Sequence, residues 1–251
     1  GGQARFIGTR GKDSFGDLFE KQICACGVEP ELSLSQTPTG KVLSVVTPDA
    51  QRSMFTDLGA STQMDPGKIV PELFADTAIA VIEGYLLFNP GLMKTCLKAA
   101  KKAGAMVALD LASFEVVNAS KDLLDEIIEA HVDILIANED EAKAFTGLDS
   151  EEASLKVLSE NVACAVLKLG GRGSWINYRG NITRILAIKG DSPKDTTGAG
   201  DLWAAGFLYG LAHGFTIEKA GALGSACGYE VCQVMGAQIP EKGWEKIRKL
   251  V

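Results

Sequence analysis

Hydrophobic and polar positions alternate with two distinct periods along most of this chain. From residue 67 onward, short apolar runs typical of buried strands take turns with longer segments whose apolar positions recur at helical spacing. The predicted strands are residues 79–83, 105–110, 134–137 and 163–168, and the predicted helices are residues 67–75, 90–103, 121–130, 138–146 and 151–159. Because strands separated by helices pair through crossover connections, the pattern predicts an α/β protein with a buried, mostly parallel sheet.

The last part of the chain changes the order of these elements. Two short strands, residues 174–178 and 182–188, are joined by the Arg-Gly-Asn segment 179–181, which predicts an antiparallel hairpin at the edge of the sheet. Helices are then predicted at residues 198–212, 216–234 and 241–250.

The first sixty residues carry a different pattern. Residues 4–8 predict a strand and residues 14–26 a helix, with Gly27 at its end and Pro30 beyond it. Two segments rich in β-branched residues follow, residues 41–47 and 52–58, joined by Pro48-Asp49-Ala50, which is typical of a hairpin. By pattern alone this hairpin is as consistent with a plain sheet edge as with a functional flap.

Composition narrows the class of protein. With 251 residues, 46% hydrophobic and 23% charged, the chain predicts one large core, with or without a small appendage, rather than two well-separated domains. A net charge of −7 excludes a typical nucleic-acid-binding surface, which needs clustered Lys and Arg. No apolar run is long enough to cross a bilayer, and the six cysteines lack metal-ligand spacing, so we expect a cytoplasmic protein with reduced, mostly buried thiols.

Polar residues collect where the predicted strands end. Glu83, Asp110, Asn138, the Leu169-Gly170 pair and residues 198–201 all follow strand ends or open helices. Ligands of open α/β sheets bind at the carboxyl ends of the strands. These positions therefore predict one site along one edge of the sheet.

Residues 195–201, Asp-Thr-Thr-Gly-Ala-Gly-Asp, precede an apolar helix and combine two features useful for phosphoryl transfer. Three small residues at a helix start leave backbone N–H groups open to an anion at the positive end of the helix dipole. Asp201 then falls in the first turn, near enough to accept a proton from an attacking hydroxyl. The alternative is an ordinary capped helix with an acidic first turn.

This signature resembles that of the ribokinase-like, or PfkB, family of sugar and nucleoside kinases. Other segments match the family in order: residues 6–16 near the start, 138–141 (Asn-Glu-Asp-Glu) in the middle, and 168–173 (Lys-Leu-Gly-Gly-Arg-Gly) before the signature. The resemblance implies an α/β, ribokinase-like three-layer αβα sandwich with a mostly parallel central sheet and a small β lid. It places the kinase core with its ATP site in residues 1–27 and 61–251, and the β-hairpin lid in residues 28–60.

The resemblance also implies roles for the signature residues, with ATP and Mg²⁺ as cofactors. Asp201 corresponds to the catalytic base, and Gly198, Ala199 and Gly200 to the anion hole. Asn138 and Glu141 match the Asn-x-x-Glu motif, which is linked to Mg²⁺ through water. Without the resemblance, we would favour helix capping for these two residues.

Further binding residues are carried over in the same way. Lys168, Gly170 and Gly173 resemble the nucleotide-binding turn and Ser225 a position lining the adenine pocket, although glycines of a hairpin turn explain such a segment equally well. Asp195 and Thr197 would be ligands of a monovalent cation, K⁺.

The acceptor is the least defined part of the prediction. Glu83 ends an apolar strand, where a carboxylate needs a partner, so it either contacts substrate hydroxyls or belongs to a structural ion pair. Resemblance favours a small-molecule sugar or nucleoside acceptor, with a hydroxymethyl-pyrimidine kinase and a non-catalytic, ligand-sensing homologue as alternatives. We expect a monomer or a homodimer. Because the chain begins without Met inside a segment that lies deeper in the family, we also expect it to be N-terminally truncated.

Overall fold

The chain divides into two compact units, Gly1–Pro66 and Gly67–Val251. The structure, a computed structural model, describes residues 2–47 and 52–251, so the predicted turn at Pro48-Asp49-Ala50 lies outside the described residues. No helix within these ranges is both long and apolar enough to cross a bilayer. The predicted division into a core and a lid at residues 28–60 stays a prediction.

The first unit contains one parallel and one antiparallel strand pair. Its elements are β1 (Ala4–Gly11), α1 (Ser14–Ala25), β2 (Val28–Ser35), β3 (Lys41–Val46) and β4 (Arg52–Asp57). β1 pairs with β2 in parallel, and β3 pairs with β4 as the predicted antiparallel hairpin. The extent of β2 was not predicted, because Pro30 and two glutamates hide an alternation of Val28, Leu32 and Leu34.

Asp13 joins the start of α1 to the segment before β3. Its Oδ1 accepts from Gly16 N and Thr39 Oγ1, both at 2.8 Å, and its Oδ2 accepts from Thr39 N at 2.7 Å. The backbone bonds from Thr39 and Gly16 lower the pKa of Asp13 to about 2. This part of the matched N-terminal motif therefore has a structural explanation.

The second unit is built on a six-stranded sheet of order β10-β9-β8-β7-β6-β5. Its elements are β5 (Ile79–Glu83), α2 (Pro90–Lys102), β6 (Met106–Asp110), α3 (Phe114–Ala119), α4 (Lys121–His131), β7 (Ile134–Asn138), α5 (Glu139–Thr146), α6 (Glu151–Leu158), β8 (Cys164–Lys168), β9 (Ser174–Tyr178), β10 (Asn181–Ile185), α7 (Ala199–Ala212), α8 (Ile217–Cys232) and α9 (Glu241–Arg248). β5 to β8 are parallel, and β9 and β10 form the predicted antiparallel edge.

Helices cover both faces of this sheet. On one face, Trp203 and Phe207 of α7 and Ala220 of α8 pack against alternate strand residues, including Ile136 and Val166. The intervening strand residues point to the opposite face, where α2, α4 and α6 supply fully buried leucines, namely Leu97, Leu124, Leu155 and Leu158. The predicted three-layer αβα arrangement with a mostly parallel sheet is confirmed for this unit.

Two predictions about local structure were wrong, and one helix was missed. Residues 67–75 form two short 3₁₀ turns, Pro66–Lys68 and Pro71–Phe74, rather than a helix. Pro71 lacks an N–H and holds Val70 extended, so no continuous helix can pass through it. Helix α3, capped by Ser113, was not predicted. All six cysteines are free, but only three are buried, and Cys24 and Cys26 are exposed at the end of α1.

Candidate functional site

The strand register brings the predicted site residues to one edge of the sheet. Glu83, the last residue of β5, lies opposite Asp110, the last residue of β6. Asn138, the last residue of β7, lies opposite Lys168, the last residue of β8. Because the four strands are parallel and adjacent, their carboxyl ends form one continuous polar edge, as the sequence predicted.

Asn138 and Glu141 form a complete capping box at the start of α5. Asn138 Oδ1 accepts from Glu141 N at 2.9 Å, and Glu141 Oε2 accepts from Asn138 N at 2.7 Å. Asn138 Nδ2 also donates to Glu141 Oε1 at 2.6 Å. Burial raises the pKa of Glu141 to about 7, against the opposing effect of the Lys168 charge. Asn138 and Glu141 therefore do cap α5, and their predicted link to Mg²⁺ stays a prediction.

Lys168 and Asp110 form an ion pair between the ends of β8 and β6. Lys168 Nζ donates to Asp110 Oδ2 at 2.8 Å, and the two side chains are 14% and 10% exposed. Asp110 Oδ1 accepts from the backbone N–H of Ala112 at 3.2 Å. Asp110 was placed at this edge by the sequence but given no role; a carboxylate at the end of an apolar strand, the signal used for Glu83, also marks it.

The start of α7 has no side-chain cap. Its N-cap residue, Gly198, has a φ of +75°, and a Cβ there would lie 2.8 Å from Ala237 Cβ. Among the residues that the structure describes, no protein acceptor pairs with the backbone N–H groups of Gly200 and Asp201. Open amides at a helix N-terminus bind anions, so the predicted anion hole is geometrically available.

Asp201 is exposed in the first turn of α7. Its charge acts on Glu83, whose pKa is raised to about 7, first by desolvation of the carboxylate and then by the charges of Asp110 and Asp201. Glu83 is nevertheless solvent-exposed as a residue, so protein atoms surround only part of its carboxylate. Glu83, Asp110 and Asp201 therefore belong to one electrostatic cluster, with Lys168 as its cation.

Asp195 fastens the loop that leads into α7. Its Oδ1 accepts from Thr197 N at 2.8 Å and from Thr197 Oγ1 at 2.6 Å, and its Oδ2 accepts from Gly236 N at 2.8 Å. These bonds explain why a carboxylate 2% exposed is stable there. The monovalent-cation role of Asp195 and Thr197 stays a prediction.

The orientation of α7 depends on glycines at its contact with α8. A Cβ on Gly206 would lie 2.9 Å from Cys227 Sγ and 2.9 Å from Leu223 O. A Cβ on Gly224 would lie 2.8 Å from Trp203 O. The two helices therefore approach at backbone distance, which fixes the head of α7. Ser225, predicted near adenine, is buried in α8 at 8% exposure.

Of the two glycines predicted to contact the nucleotide in the turn after β8, one is required by the backbone geometry. Gly173 has a φ of +98°, and a Cβ there would overlap Ile185 O, so the hairpin requires glycine. Gly170, with a φ of +52°, is exposed with open space around the Cβ position. Gly170 therefore leaves room for a ligand, and its nucleotide role stays a prediction.

The edge suits a metal ion that arrives with its own ligands. Among the described residues, no three His, Cys, Asp or Glu side chains are grouped so that they could hold a metal. Mg²⁺ keeps several waters and takes phosphate oxygens in nucleotide sites, so it does not need such a cage. Asn138 and Glu141 already bond to each other, which fits contact with Mg²⁺ through water rather than direct ligation.

Comparisons with known proteins agree with this fold. The sequence profile of the pfkB family carbohydrate kinases matches residues 1–243. A ribokinase of Arabidopsis thaliana is 29% identical over 92% of this chain and 63% of its own length, and an adenosine kinase of Saccharomyces cerevisiae is 26% identical over 96% of this chain and 75% of its own. The solved adenosine kinase of Sinorhizobium meliloti superposes on 100% of this chain and 79% of its own, with a TM-score of 0.94 and 28% identity. The chain thus spans less than two thirds of the Arabidopsis relative.

Proposed function

Because the chain belongs to the pfkB family of carbohydrate kinases, we propose that it transfers the γ-phosphate of ATP to a hydroxymethyl group of a sugar or a nucleoside. The observation that supports this most directly is the open head of α7, where unpaired amides lie beside the Asp201 carboxylate. In an ordinary capped helix, the alternative for this segment, a side chain accepts hydrogen bonds from the first-turn amides.

The roles follow from the chemistry of phosphoryl transfer, in which the protein mainly positions the reactants and balances charge. The segment Gly198-Ala199-Gly200 holds the oxygens of the transferring phosphoryl group, with the open amides of Gly200 and Asp201 as donors. Asp201 accepts the proton of the acceptor hydroxyl, the hydroxyl oxygen forms the new O–P bond, and the bond to the β,γ-bridging oxygen breaks. ADP leaves with that electron pair.

ATP and Mg²⁺ are the proposed cofactors. Bound Mg²⁺ would neutralise charge on the phosphates. Asn138 and Glu141 would orient it through water, while Lys168, Gly170, Gly173 and Ser225 would contact the nucleotide.

The acceptor class follows from the relatives and from Glu83. The relatives include enzymes named ribokinase and adenosine kinase, whose names point to a ribose and a nucleoside. Glu83 lies in the same electrostatic cluster as Asp201 and is exposed, so its carboxylate can accept bonds from acceptor hydroxyl groups. We therefore place Glu83 in the acceptor site.

The test is ADP release by the 251-residue chain with Mg²⁺, ATP and a panel beginning with ribose and adenosine. We expect turnover with at least one acceptor, and a loss of about 10²- to 10⁴-fold in kcat for Asp201→Asn. Asp122→Asn is the matched control, since Asp122 is also an exposed first-turn aspartate, in α4. Equal turnover by wild type and Asp201→Asn would remove Asp201 as the base, and no turnover with any acceptor would favour the non-catalytic alternative.

A further inference from the structure

The Lys168 ammonium is held in a nearly enclosed position yet keeps donors free. Its side chain is 14% exposed. Among the described residues, Asp110 is the hydrogen-bond acceptor for Nζ, through Oδ2 at 2.8 Å. An ammonium has three N–H donors, so two remain for another group, and leaving them unused in such a position is unfavourable.

Lys168 Nζ lies at the head of α7. A Cβ built on Gly200 would lie 3.3 Å from Lys168 Nζ. The ammonium therefore lies close to the helix turn that carries the unpaired amides of Gly200 and Asp201. β8 and α7 are far apart in sequence, so this approach depends on the packed fold rather than on a local motif.

Asp110 is itself fixed on both oxygens. Oδ2 bonds to Lys168, and Oδ1 accepts from Ala112 N. Ala112 has a φ of +67°, a left-handed conformation that is strained for an L-residue with a Cβ. Strain of this kind persists only where surrounding contacts enforce it, and it concentrates at functional sites.

The charge around this pair requires a cation. Glu83, Asp110, Glu141 and Asp201 all act electrostatically within the edge, and Lys168 is the cation acting on both Glu83 and Glu141. A polyphosphate entering such an acidic edge is repelled unless positive charge meets it. Lys168 supplies this charge next to the anion hole.

On the strength of the function proposed above, we infer that the Lys168 ammonium binds a non-bridging oxygen of the transferring phosphoryl group, and that Asp110 is a positioning residue that holds the ammonium there. This differs from a general nucleotide contact at the turn after β8, because it assigns Lys168 to the phosphorus that moves. Lys168 keeps its three protons throughout; the acceptor proton goes to Asp201, and ADP leaves with the electrons of the broken P–O bond.

The first experiment separates the moving phosphoryl group from the rest of the nucleotide. Binding of MgADP, and of MgADP with aluminium fluoride plus the best acceptor of the panel, is measured for wild type, Lys168→Met and Lys168→Arg. We expect the affinity of Lys168→Met for MgADP to stay within about two-fold of wild type. Its affinity for MgADP with aluminium fluoride, and its kcat, should each fall about 10²- to 10³-fold, as for removal of an oxyanion donor. Lys168→Arg should recover part of both.

The second experiment tests positioning by Asp110. We expect Asp110→Asn to lower kcat about 10-fold with an unchanged KM for ATP, and to add nothing in a Lys168→Met background, because groups that act as one unit are not additive. Added propylammonium should raise the kcat of Lys168→Ala several-fold and leave wild type unchanged. Lys101→Met is the matched control, since Lys101 pairs with Asp133 at 2.7 Å in a similar Lys–Asp bridge elsewhere.

The outcomes distinguish the two proposals. Equal losses of MgADP and aluminium fluoride affinity in Lys168→Met, or additive effects of Asp110→Asn, would overturn the inference while leaving the kinase function intact. A wild-type chain that neither binds MgADP nor turns over any acceptor would overturn both.

Discussion

Helices α5 and α7 of the second unit both begin with acidic residues, but the N-terminus of α5 is capped by side chains and that of α7 is not. The head of α5 is closed, because Asn138 and Glu141 satisfy each other's backbone N–H groups. The head of α7 is open, because Gly198 has no side chain and the amides of Gly200 and Asp201 lack protein partners among the described residues. Both helices carry acidic residues in the first turn. An acidic helix start therefore leaves amides open to a ligand only when the cap itself is absent.

The largest expected effect comes from closing the head of α7. Gly200→Asp places a carboxylate beside Lys168 Nζ, where it competes with a phosphate. We expect kcat with ATP to fall about 10²- to 10³-fold, or about 3–4 kcal/mol in barrier. Thermal stability should stay equal or rise, since an acidic residue at a helix start stabilises by about 0.3–1 kcal/mol.

Gly200→Ala is the control for that change, because it adds bulk without charge. The added Cβ meets the flexible end of Lys168 at 3.3 Å, so we expect a loss in kcat of less than about 10-fold. If the alanine variant loses as much activity as the aspartate variant, or if Gly200→Asp is fully active, the head of α7 is not the phosphate site.

A second prediction concerns the cost of keeping α7 open. Gly198→Ala combines a φ of +75° with a 2.8 Å approach to Ala237 Cβ, whereas Gly147→Ala at the end of α5 has a φ of +73° with open space around it. We expect a loss in free energy of unfolding of about 1 kcal/mol for Gly147→Ala and about 2–3 kcal/mol for Gly198→Ala. Urea denaturation of both variants measures the difference, and equal losses would show that the Ala237 contact is relaxed.

The closed head makes a prediction about pH. Glu141 has a pKa raised to about 7 in the folded chain from an ordinary value of 4.5. At low pH the Glu141 carboxyl is protonated in both the folded and the unfolded chain. As pH rises from about 4.5 to 7, this carboxyl ionises in the unfolded chain before it ionises in the folded one, so the folded state loses stability. One such group contributes a slope of up to about 1.4 kcal/mol per pH unit.

Glu141→Gln should flatten that slope, measured as the free energy of unfolding between pH 5 and 7 without nucleotide. Glu83, with a pKa of about 7, acts in the same direction, so the flattening is partial and grows in the double variant with Glu83→Gln. Glu152→Gln, an exposed first-turn glutamate of α6, is the control and should keep the wild-type slope. An unchanged slope in Glu141→Gln would show that Glu141 ionises normally.

The sequence predicted the polar edge of the sheet because strand ends are local features. Glu83, Asp110, Asn138 and Lys168 each terminate an apolar run, and parallel topology then brings the ends together. The predicted helix at residues 67–75 was wrong for a local reason as well. The apolar spacing there is typical of a helix, but Pro71, visible in the sequence, interrupts it.

The features of the site that could not be predicted depend on packing. The Lys168–Asp110 bond joins residues 58 positions apart, and the approach of Lys168 to Gly200 depends on how α7 lies against α8. The positive φ of Ala112 has no signature in the residue type. Resemblance predicted Lys168 as a nucleotide contact, but only the fold relates it to the head of α7.

The smallest expected effect measures what the closed head of α5 contributes. Asn138→Ala removes the acceptor for Glu141 N and the donor to Glu141 Oε1, so we expect a loss of about 1–2 kcal/mol in free energy of unfolding. Ser150→Ala in α6 removes a single cap bond of 3.3 Å to Ala153 N in an exposed position, and about 0.5–1 kcal/mol is expected. Urea denaturation at pH 8 compares the two variants. Equal losses would show that the reciprocal bonds of the capping box add nothing to a single cap, and the contrast between α5 and α7 would then depend on Gly198 alone.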